Sequence, residues 1–301
     1  MLRYPADRRT LLWCLAMPAV ALAMYRAPGL IPFLCPVACY LALAAGLIAH
    51  HHHHCPTFQH RGLNAALSLW LSFFQGYPAS SWIPIHNLNH HRFVNREGDV
   101  TNTWRYSRRH TWWTASTALF TFQLVEPTQA FVREARESQP ALYRQLMAQY
   151  GVWLGTNLLL LGGAVALYGP WEGARVWLLA SVLPALFAQW TLAFFSYIQH
   201  VHADAWSEHD HSRNFTGKLF NFLIFNTGYH TVHHAQPGAH WSTLPAAHAR
   251  IERHVHPDLN VGNFLSWCFR SYVLALVSSR FGTRQLGRDP WDPPQHPHAP
   301  T

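Results

Sequence analysis

The chain has 301 residues and carries 22 Lys and Arg against 14 Asp and Glu, which gives a formal net charge of +8. Its five cysteines contain no CxxC pair, which argues against a disulfide framework or a zinc ribbon. The basic excess comes without a basic module or repeat, so we expect no binding to nucleic acid. The histidines, 23 in number, are the residues from which a function can be inferred.

Long uncharged apolar segments predict membrane-spanning helices. Residues 29–49, 150–170 and 176–199 each reach the length of about 20 residues that a helix needs to cross a bilayer. Residues 11–26 are a weaker fourth candidate, interrupted by Pro18. The alternative is a soluble all-α protein with buried helices, but these segments lack the amphipathic pattern of soluble helices.

The predicted fold is an all-α integral membrane protein with about four transmembrane helices in two hairpins. We expect interfacial helices near residues 63–85, 111–124 and 263–279, an amphipathic surface stretch over 128–150, and a cytoplasmic helical cap that carries the histidines. One domain then covers residues 1–288. Residues 289–301 are rich in proline and predict a disordered tail.

The distribution of basic residues predicts the orientation of these helices. Of the Lys and Arg residues, only Arg26 and Arg175 lie in the two short linkers within the hairpins. The positive-inside rule therefore places both termini and all histidine clusters in the cytoplasm. We expect an integral protein of a bacterial inner membrane.

Three histidine clusters and one further pair lie beside the apolar segments. Successive residues of an α-helix are rotated by about 100°. His50 and His54 then share a face, as do His86 and His90, while His91 points aside. His230, His233 and His234 can face one point, and His200 of the pair His200/His202 lies at a helix exit. The candidate ligands are nine imidazoles: His50, His54, His86, His90, His91, His200, His230, His233 and His234.

Nine nitrogen ligands are too many for one ion, because zinc takes four, and so they predict two ions. Nitrogen ligands suit iron, copper or zinc, and the spacing does not decide between them. We favour iron, since histidine-rich sites with open positions beside a membrane suit dioxygen chemistry on a lipid.

The other histidines have simpler explanations. His51, His52 and His53 extend a run and can be solvated. His240 and His248 lie near the third cluster but outside its helical register, and His296 and His298 fall in the tail. Six more are expected at the surface: His60, His110, His209, His211, His254 and His256. Polar residues that can orient ligand imidazoles are Asp99, Asp204 and Glu97, with Asn226 as a further candidate.

The clusters give the chain a resemblance to the membrane fatty acid desaturase and hydroxylase superfamily, over roughly residues 30–250. Residues 50–54 resemble its first histidine box, 86–91 its second and 230–234 its third. The segment 195–200 resembles the part that supplies an additional histidine. Residues 226–245 are similar to the bacterial acyl-lipid desaturase branch. Ser196 and Gln199 depart from the Asn and Glu usual in alkane-hydroxylase-like relatives.

The resemblance implies a di-iron, dioxygen-dependent oxidoreductase that desaturates an acyl chain. Its partners would be a lipid or acyl substrate, O2 and a separate electron-donor protein of ferredoxin, rubredoxin or cytochrome type. An apolar tunnel under the site would hold the acyl chain, with candidate lining residues Trp82, Trp104, Phe194 and Phe195. Two alternatives remain: a hydroxylase or ketolase of fatty acids, alkanes or carotenoids, and a metal transporter or metal-binding membrane protein.

Overall fold

The computed structural model describes residues 1–292, and these are mostly helical. In chain order the α-helices are α1 (Asp7–Arg26), α2 (Ile31–His54), α3 (Arg61–Gln75), α4 (His91–Phe93), α5 (Trp112–Ser116), α6 (Ala118–Thr121), α7 (Val125–Ser138), α8 (Pro140–Tyr168), α9 (Pro170–Trp177), α10 (Leu183–His200), α11 (Lys218–Leu223), α12 (His230–Ala235), α13 (Leu244–Ile251), α14 (Phe264–Phe269) and α15 (Ala275–Val277).

Shorter elements link these helices. π-Helical segments cover Ile83–His90, Leu178–Val182 and Arg270–Leu274, so that α9 continues into α10 and α14 into α15. The strands β1 (Asn214–Phe215) and β2 (Asn260–Val261) form a parallel pair in which Asn214 lies opposite Asn260. The 3-10 turns are Pro28–Leu30, Ala79–Ser81, Trp241–Thr243, Glu252–His254, Pro257–Leu259 and Ser279–Phe281.

Within residues 1–292, three helical segments are long and apolar enough to cross a membrane: Pro28–His54, Pro140–Tyr168 and Pro170–His200. They agree with three of the predicted spans in length and composition. The fourth candidate, α1, is a single helix, but it carries charged residues at both ends and Pro18 in its interior. A fourth span therefore stays a prediction.

The second hairpin begins earlier than the sequence suggested. The structure places residues 140–150, expected to belong to an amphipathic surface stretch, in the first turns of α8, and only α7 remains separate. Pro140 at the first helical position explains this boundary, because proline is favoured where its missing N–H is not needed. The turn of the hairpin lies at Gly169, whose φ of +80° suits a residue without a side chain.

Helix α2 is the centre of the molecule. It buries more than half of its apolar span, whereas α8 exposes almost all of its own. Gly46 of α2 lies against Leu192 of α10, where any side chain at position 46 would collide with the leucine. This close contact holds together two helices that both run toward the histidines, since α2 ends at His54 and α10 at His200.

The C-terminal helices and the start of the tail also pack against the rest of the protein. Along α14 and the segment that follows it, Trp267 and Tyr272 are buried, while Leu265, Phe269 and Leu276 are exposed. This one-sided pattern agrees with the helix expected near residues 263–279. The tail was predicted to be disordered from residue 289, yet the Trp206 indole donates to the Asp289 carbonyl at 3.0 Å. Residues 293–301, including His296 and His298, lie outside the described residues.

Candidate metal centre

Five elements bring the nine candidate histidines together. The last turns of α2 carry His50 and His54, and the π-helical segment carries His86 and His90. His91 opens α4, His200 ends α10, and α12 supplies the remaining three. All nine side chains are buried or half-buried.

The first assembly, here named the α2 group, consists of His50, His54, His86, His91 and His233. Nitrogen atoms of four of these lie within 4.8 Å of one another, with His91 outside that set. His50 Nε2 lies 2.8 Å from His86 Nε2 and 3.0 Å from His233 Nε2. His91 Nε2 joins them at 3.0 Å from His86 and 3.1 Å from His233.

The second assembly, here named the α10 group, consists of His90, His200, His230 and His234. Their nitrogen atoms also lie within 4.8 Å of one another. His200 Nε2 is 3.0 Å from His90 Nε2 and 2.9 Å from His230 Nε2, and His234 Nε2 is 3.1 Å from His230 Nε2. The two groups are adjacent, because the rings of His91 and His234 have centroids 4.4 Å apart.

The π-helical segment explains a difference from the sequence-based prediction. An α-helix would put His86 and His90 on one face. In the structure the His91 N–H reaches the His86 carbonyl, five residues earlier, which is the hydrogen bond of a π-helix. The wider turn aligns His86 with His91 and sends His90 to the other group. The expectation that His230, His233 and His234 face one point is likewise wrong, since His233 belongs to the α2 group.

In the five-histidine run of α2, two histidines belong to the α2 group and three have other surroundings. His50 and His54, one turn apart, both reach the α2 group. His51 Nε2 instead lies 3.0 Å from Thr227 Oγ1, and His52 Nδ1 lies 3.0 Å from Thr57 Oγ1. His53 Nε2 is buried and has no hydrogen-bond partner.

Burial favours the neutral form of five of these imidazoles. It lowers the pKa of His86, His230, His233 and His234 well below the ordinary value, and neighbouring histidines lower it further. Burial likewise lowers the pKa of His91. Neutral imidazole is the form that binds a metal ion, because its ring nitrogen then offers a lone pair.

Nitrogen–nitrogen distances of this kind fit metal coordination better than hydrogen bonding. His50, His86 and His233 form a triangle with sides of 2.8, 3.0 and 3.2 Å. A neutral imidazole has one N–H, on one of its two nitrogens, so three Nε2 atoms cannot form a hydrogen bond along every side. Metal–nitrogen bonds of about 2.1 Å at right angles give sides of about 3.0 Å. The donor set therefore fits one ion in each group.

An aspartate orients the α10 group. His90 Nδ1 donates to Asp99 Oδ2 at 2.8 Å, which leaves His90 Nε2 free to face the group. Thr101 Oγ1 donates to Asp99 Oδ1 at 2.7 Å. Burial opposes ionisation of Asp99, but attraction to His90 and these hydrogen bonds outweigh it and lower the pKa of the carboxyl. Asp99 is therefore a buried carboxylate anion beside the group.

The other residues expected to orient ligands have different partners. Asp204 Oδ1 accepts from the Trp206 N–H at 3.0 Å, and Asn226 Nδ2 donates to the Trp241 carbonyl at 3.0 Å. Glu97 is exposed. Asp204 and Asn226 therefore stabilise loops of their own, and among the described hydrogen bonds none joins any of the three to a candidate ligand.

Sequence reasoning missed three contributors to this environment. One is Thr101, already described. Another is the backbone carbonyl of His211, which accepts from His200 Nδ1 at 3.1 Å. The third is Asn95, whose side chain donates to the His200 carbonyl at 3.2 Å and whose N–H donates to Asp99 Oδ2 at 2.6 Å. Loop backbone gives no sequence signal, although Asn95 and Thr101 flank Asp99 closely enough to have been candidates.

Two histidines predicted at the surface are also inside. His211 is buried, and its ring centroid lies 5.5 Å from that of His234. Both ring nitrogens of His110 are buried without a hydrogen-bond partner. His248, left as intermediate, is buried as well. The sequence neighbours of His110 and His211 are polar or basic, which concealed the burial of these two residues.

An apolar cavity of about 430 Å³, here named the reaction cavity, lies against both groups. His50 and His86 of the α2 group and His230 of the α10 group form part of its wall, and Trp82 and Phe195 line it as expected. Trp104 instead donates to the Asn95 carbonyl, and Phe194 stacks on Trp190. The cavity therefore places an apolar space beside histidines of both groups.

Comparison with known proteins agrees with this site. The family profile described as fatty acid desaturase matches residues 26–267, which include both histidine groups and the reaction cavity. Comparisons with curated proteins and with solved structures give no match. Because the profile covers well over half of the sequence, the chain belongs to the fatty acid desaturase family.

Proposed function

We propose that the protein is a membrane-bound, dioxygen-dependent di-iron desaturase of acyl chains. One observation carries the proposal: two adjacent groups of buried or half-buried imidazoles contribute to the wall of an apolar cavity. Bound iron, with O2, two electrons and two protons, would supply the oxidising power to remove two hydrogen atoms from neighbouring methylenes, with O2 reduced to two molecules of water. The chain itself would place the substrate and keep bulk water away.

Nine ligands are proposed, five from the α2 group and four from the α10 group. Asp99 fixes the tautomer of His90, and the His211 carbonyl does the same for His200. The reaction cavity would hold the acyl chain so that the methylenes to be oxidised lie beside His50, His86 and His230. The electrons would come from a separate donor protein of ferredoxin, rubredoxin or cytochrome type.

The topology proposed for this site has α1 as a fourth span and both termini in the cytoplasm of a bacterium. His50, His54 and His200 lie at the C-terminal ends of α2 and α10, which would place the site near one membrane surface. The distribution of arginines supports the cytoplasmic side. Ligands at the ends of the spans also favour an oxidoreductase over a transporter, which would need ionisable groups near the bilayer midplane.

A hydroxylase is the second candidate, because the residues beside the metal centre influence the reaction outcome, and Ser196 and Gln199 line the reaction cavity. These are the positions at which the chain differs from the Asn and Glu of alkane-hydroxylase-like proteins. Desaturase and hydroxylase differ in product, since the second hydrogen removal gives an alkene and oxygen transfer gives an alcohol.

Product analysis tests the proposal. The protein is expressed in a host that lacks desaturases, and its lipids are examined by mass spectrometry with and without O2. We expect new double bonds only with O2, and iron in the purified protein. His90→Ala should abolish the products, while His254→Ala, at an exposed histidine far from both groups in sequence, should not. New hydroxyl groups without double bonds would contradict the desaturase proposal and support the hydroxylase.

A further inference from the structure

A second apolar cavity lies deeper in the membrane part of the molecule. This distal cavity also measures about 430 Å³, and helices α1, α2, α8 and α10 contribute to its wall. Representative lining residues are Met17, Ala42, Phe74, Leu158, Trp177 and Leu186. None of the candidate ligands borders it, so the metal centre does not account for this space.

The two cavities are stacked end to end along the same helices. On α2 the distal cavity is lined by Ala38 to Ala42 and the reaction cavity by Leu47 and His50. On α8 the boundary falls between Tyr150, which lines the reaction cavity, and Trp153, which lines the distal one. Along both helices, the distal cavity therefore lies farther from the histidines than the reaction cavity does.

Helix α10 shows the same order and identifies the boundary. Leu186 lines the distal cavity, Leu192 lines the reaction cavity, and Gln189 borders both. Among the described lining residues Gln189 alone has this position. Gln189 lies ten residues, or about 15 Å of helix, before Gln199 at the histidine end.

The end of α3 faces Gln189 across the boundary between the distal cavity and the reaction cavity. Gly76 ends α3 with a φ of +87° and lies so close to α10 that a Cβ there would collide with Ala185. The same Cβ would be 3.4 Å from Gln189 Nε2. Gly76 lines the distal cavity, and Tyr77 lines the reaction cavity. The backbone at Gly76 and the side chain of Gln189 thus face each other where the two cavities meet.

We propose that Gln189 is the end wall of the reaction cavity and sets the longest acyl chain that can extend beyond the reacting carbons. This inference rests on the proposed function. Each buried methylene is worth about fourfold in affinity, so a chain that meets the wall gains nothing from a further methylene. The amide adds a polar surface that an apolar chain end would have to desolvate. Without the side chain, the two cavities become one continuous apolar space.

The test measures chain-length preference by binding and by turnover. Purified iron-loaded protein is titrated with straight-chain saturated fatty acids of increasing length, which displace a fluorescent fatty acid. The same acids are fed to expressing cells for product analysis. We expect a sharp cut-off in the wild-type protein. Gln189→Ala should move it by two or more methylenes and raise affinity for the first excluded chain about fourfold.

Matched variants separate the size of the wall from other effects. Gln189→Met keeps the length of the side chain and should keep the wild-type cut-off. Ala21→Phe fills the distal cavity, which Ala21 lines, and should restore the cut-off in the Gln189→Ala background while changing nothing alone. Gln145→Ala, a glutamine of α8 that lines neither cavity, should leave the cut-off in place.

The outcomes distinguish this inference from the proposed function. If the wild-type protein binds and converts no acyl chain of any length, the proposed function is wrong. If it converts acyl chains but Gln189→Ala keeps the wild-type cut-off, only the end wall is wrong. A shift in Gln189→Met as large as that in Gln189→Ala would also contradict a wall made by the size of the side chain.

Discussion

The α2 group and the α10 group use the same side chain but differ in what holds it. In the α10 group, the carboxylate of Asp99 accepts from His90 and a backbone carbonyl accepts from His200. Among the described residues no carboxylate pairs with an imidazole of the α2 group. The α2 group instead gathers five imidazoles.

Because of this difference, the two proposed ions would have ligands in unlike surroundings. A carboxylate behind a ligand imidazole raises the basicity of the metal-bound nitrogen and fixes the ring. The α10 group thus has an anion next to its ligands, whereas the α2 group depends on the packing of α2, α12 and the π-helical segment. The following predictions test that contrast, beginning with the largest expected effect.

Two adjacent histidines of α12 separate the groups most directly. His233→Ala removes a ligand from the α2 group and His234→Ala removes one from the α10 group. We expect each variant to lose one ion and all turnover, because every ligand removed leaves its ion short of donors. Iron analysis and Mössbauer spectra of the two variants should show that a different ion remains in each.

Exposed His254 provides the control, and its alanine variant should keep both ions. Identical residual spectra for His233→Ala and His234→Ala would contradict the division into two groups.

Replacing Asp99, the carboxylate that accepts from His90, should have the next largest effect on iron binding. In Asp99→Asn the amide cannot supply the negative charge, so we expect the ion of the α10 group to bind roughly 10- to 100-fold more weakly. Chelator titration with iron analysis should then show one weakened ion and one unchanged ion.

The matched control is Asp204→Asn, since Asp204 bonds to the backbone of Trp206. Equal weakening of both ions in Asp99→Asn would show that the carboxylate serves the two groups alike.

Thr101 should contribute less than Asp99 to binding of the ion in the α10 group, because it acts through Asp99. Its hydroxyl donates to Asp99 Oδ1 at 2.7 Å and lies 3.0 Å from His90 Nδ1. Loss of one such hydrogen bond costs about 1 kcal/mol, so Thr101→Val should weaken the ion of the α10 group about fivefold. The same titration measures it, with Thr103→Val as the control. A larger loss than in Asp99→Asn would contradict the order of effects.

The smallest effect is expected in the middle of the five-histidine run. His53 has no hydrogen-bond partner at Nε2 and belongs to neither group. His53→Ala should therefore change iron content and turnover by no more than about twofold. His54→Ala in the same turn should lose the ion of the α2 group. Loss of iron in His53→Ala would place a different face of α2 at the metal centre.

Much of this protein could be predicted from one-dimensional patterns. Uncharged segments of bilayer length give three spans, because a helix must satisfy its backbone within lipid whatever its neighbours are. Helical periodicity selects His50 and His54 from a run of five. The resemblance carried by the histidine boxes agrees with the family profile over residues 26–267.

Only the tertiary structure assigned each histidine to its group. The π-helical turn before His91 cannot be read from α-helical periodicity, and it decides that His86 and His90 separate. Asp99 and Asp204 look alike in the sequence, but only Asp99 is brought against a ligand imidazole by the fold of its loop. The position of Gln189 between two cavities likewise depends on how α3 meets α10. Sequence periodicity determines which side chains share a helix face, whereas packing between distant segments decides what that face meets.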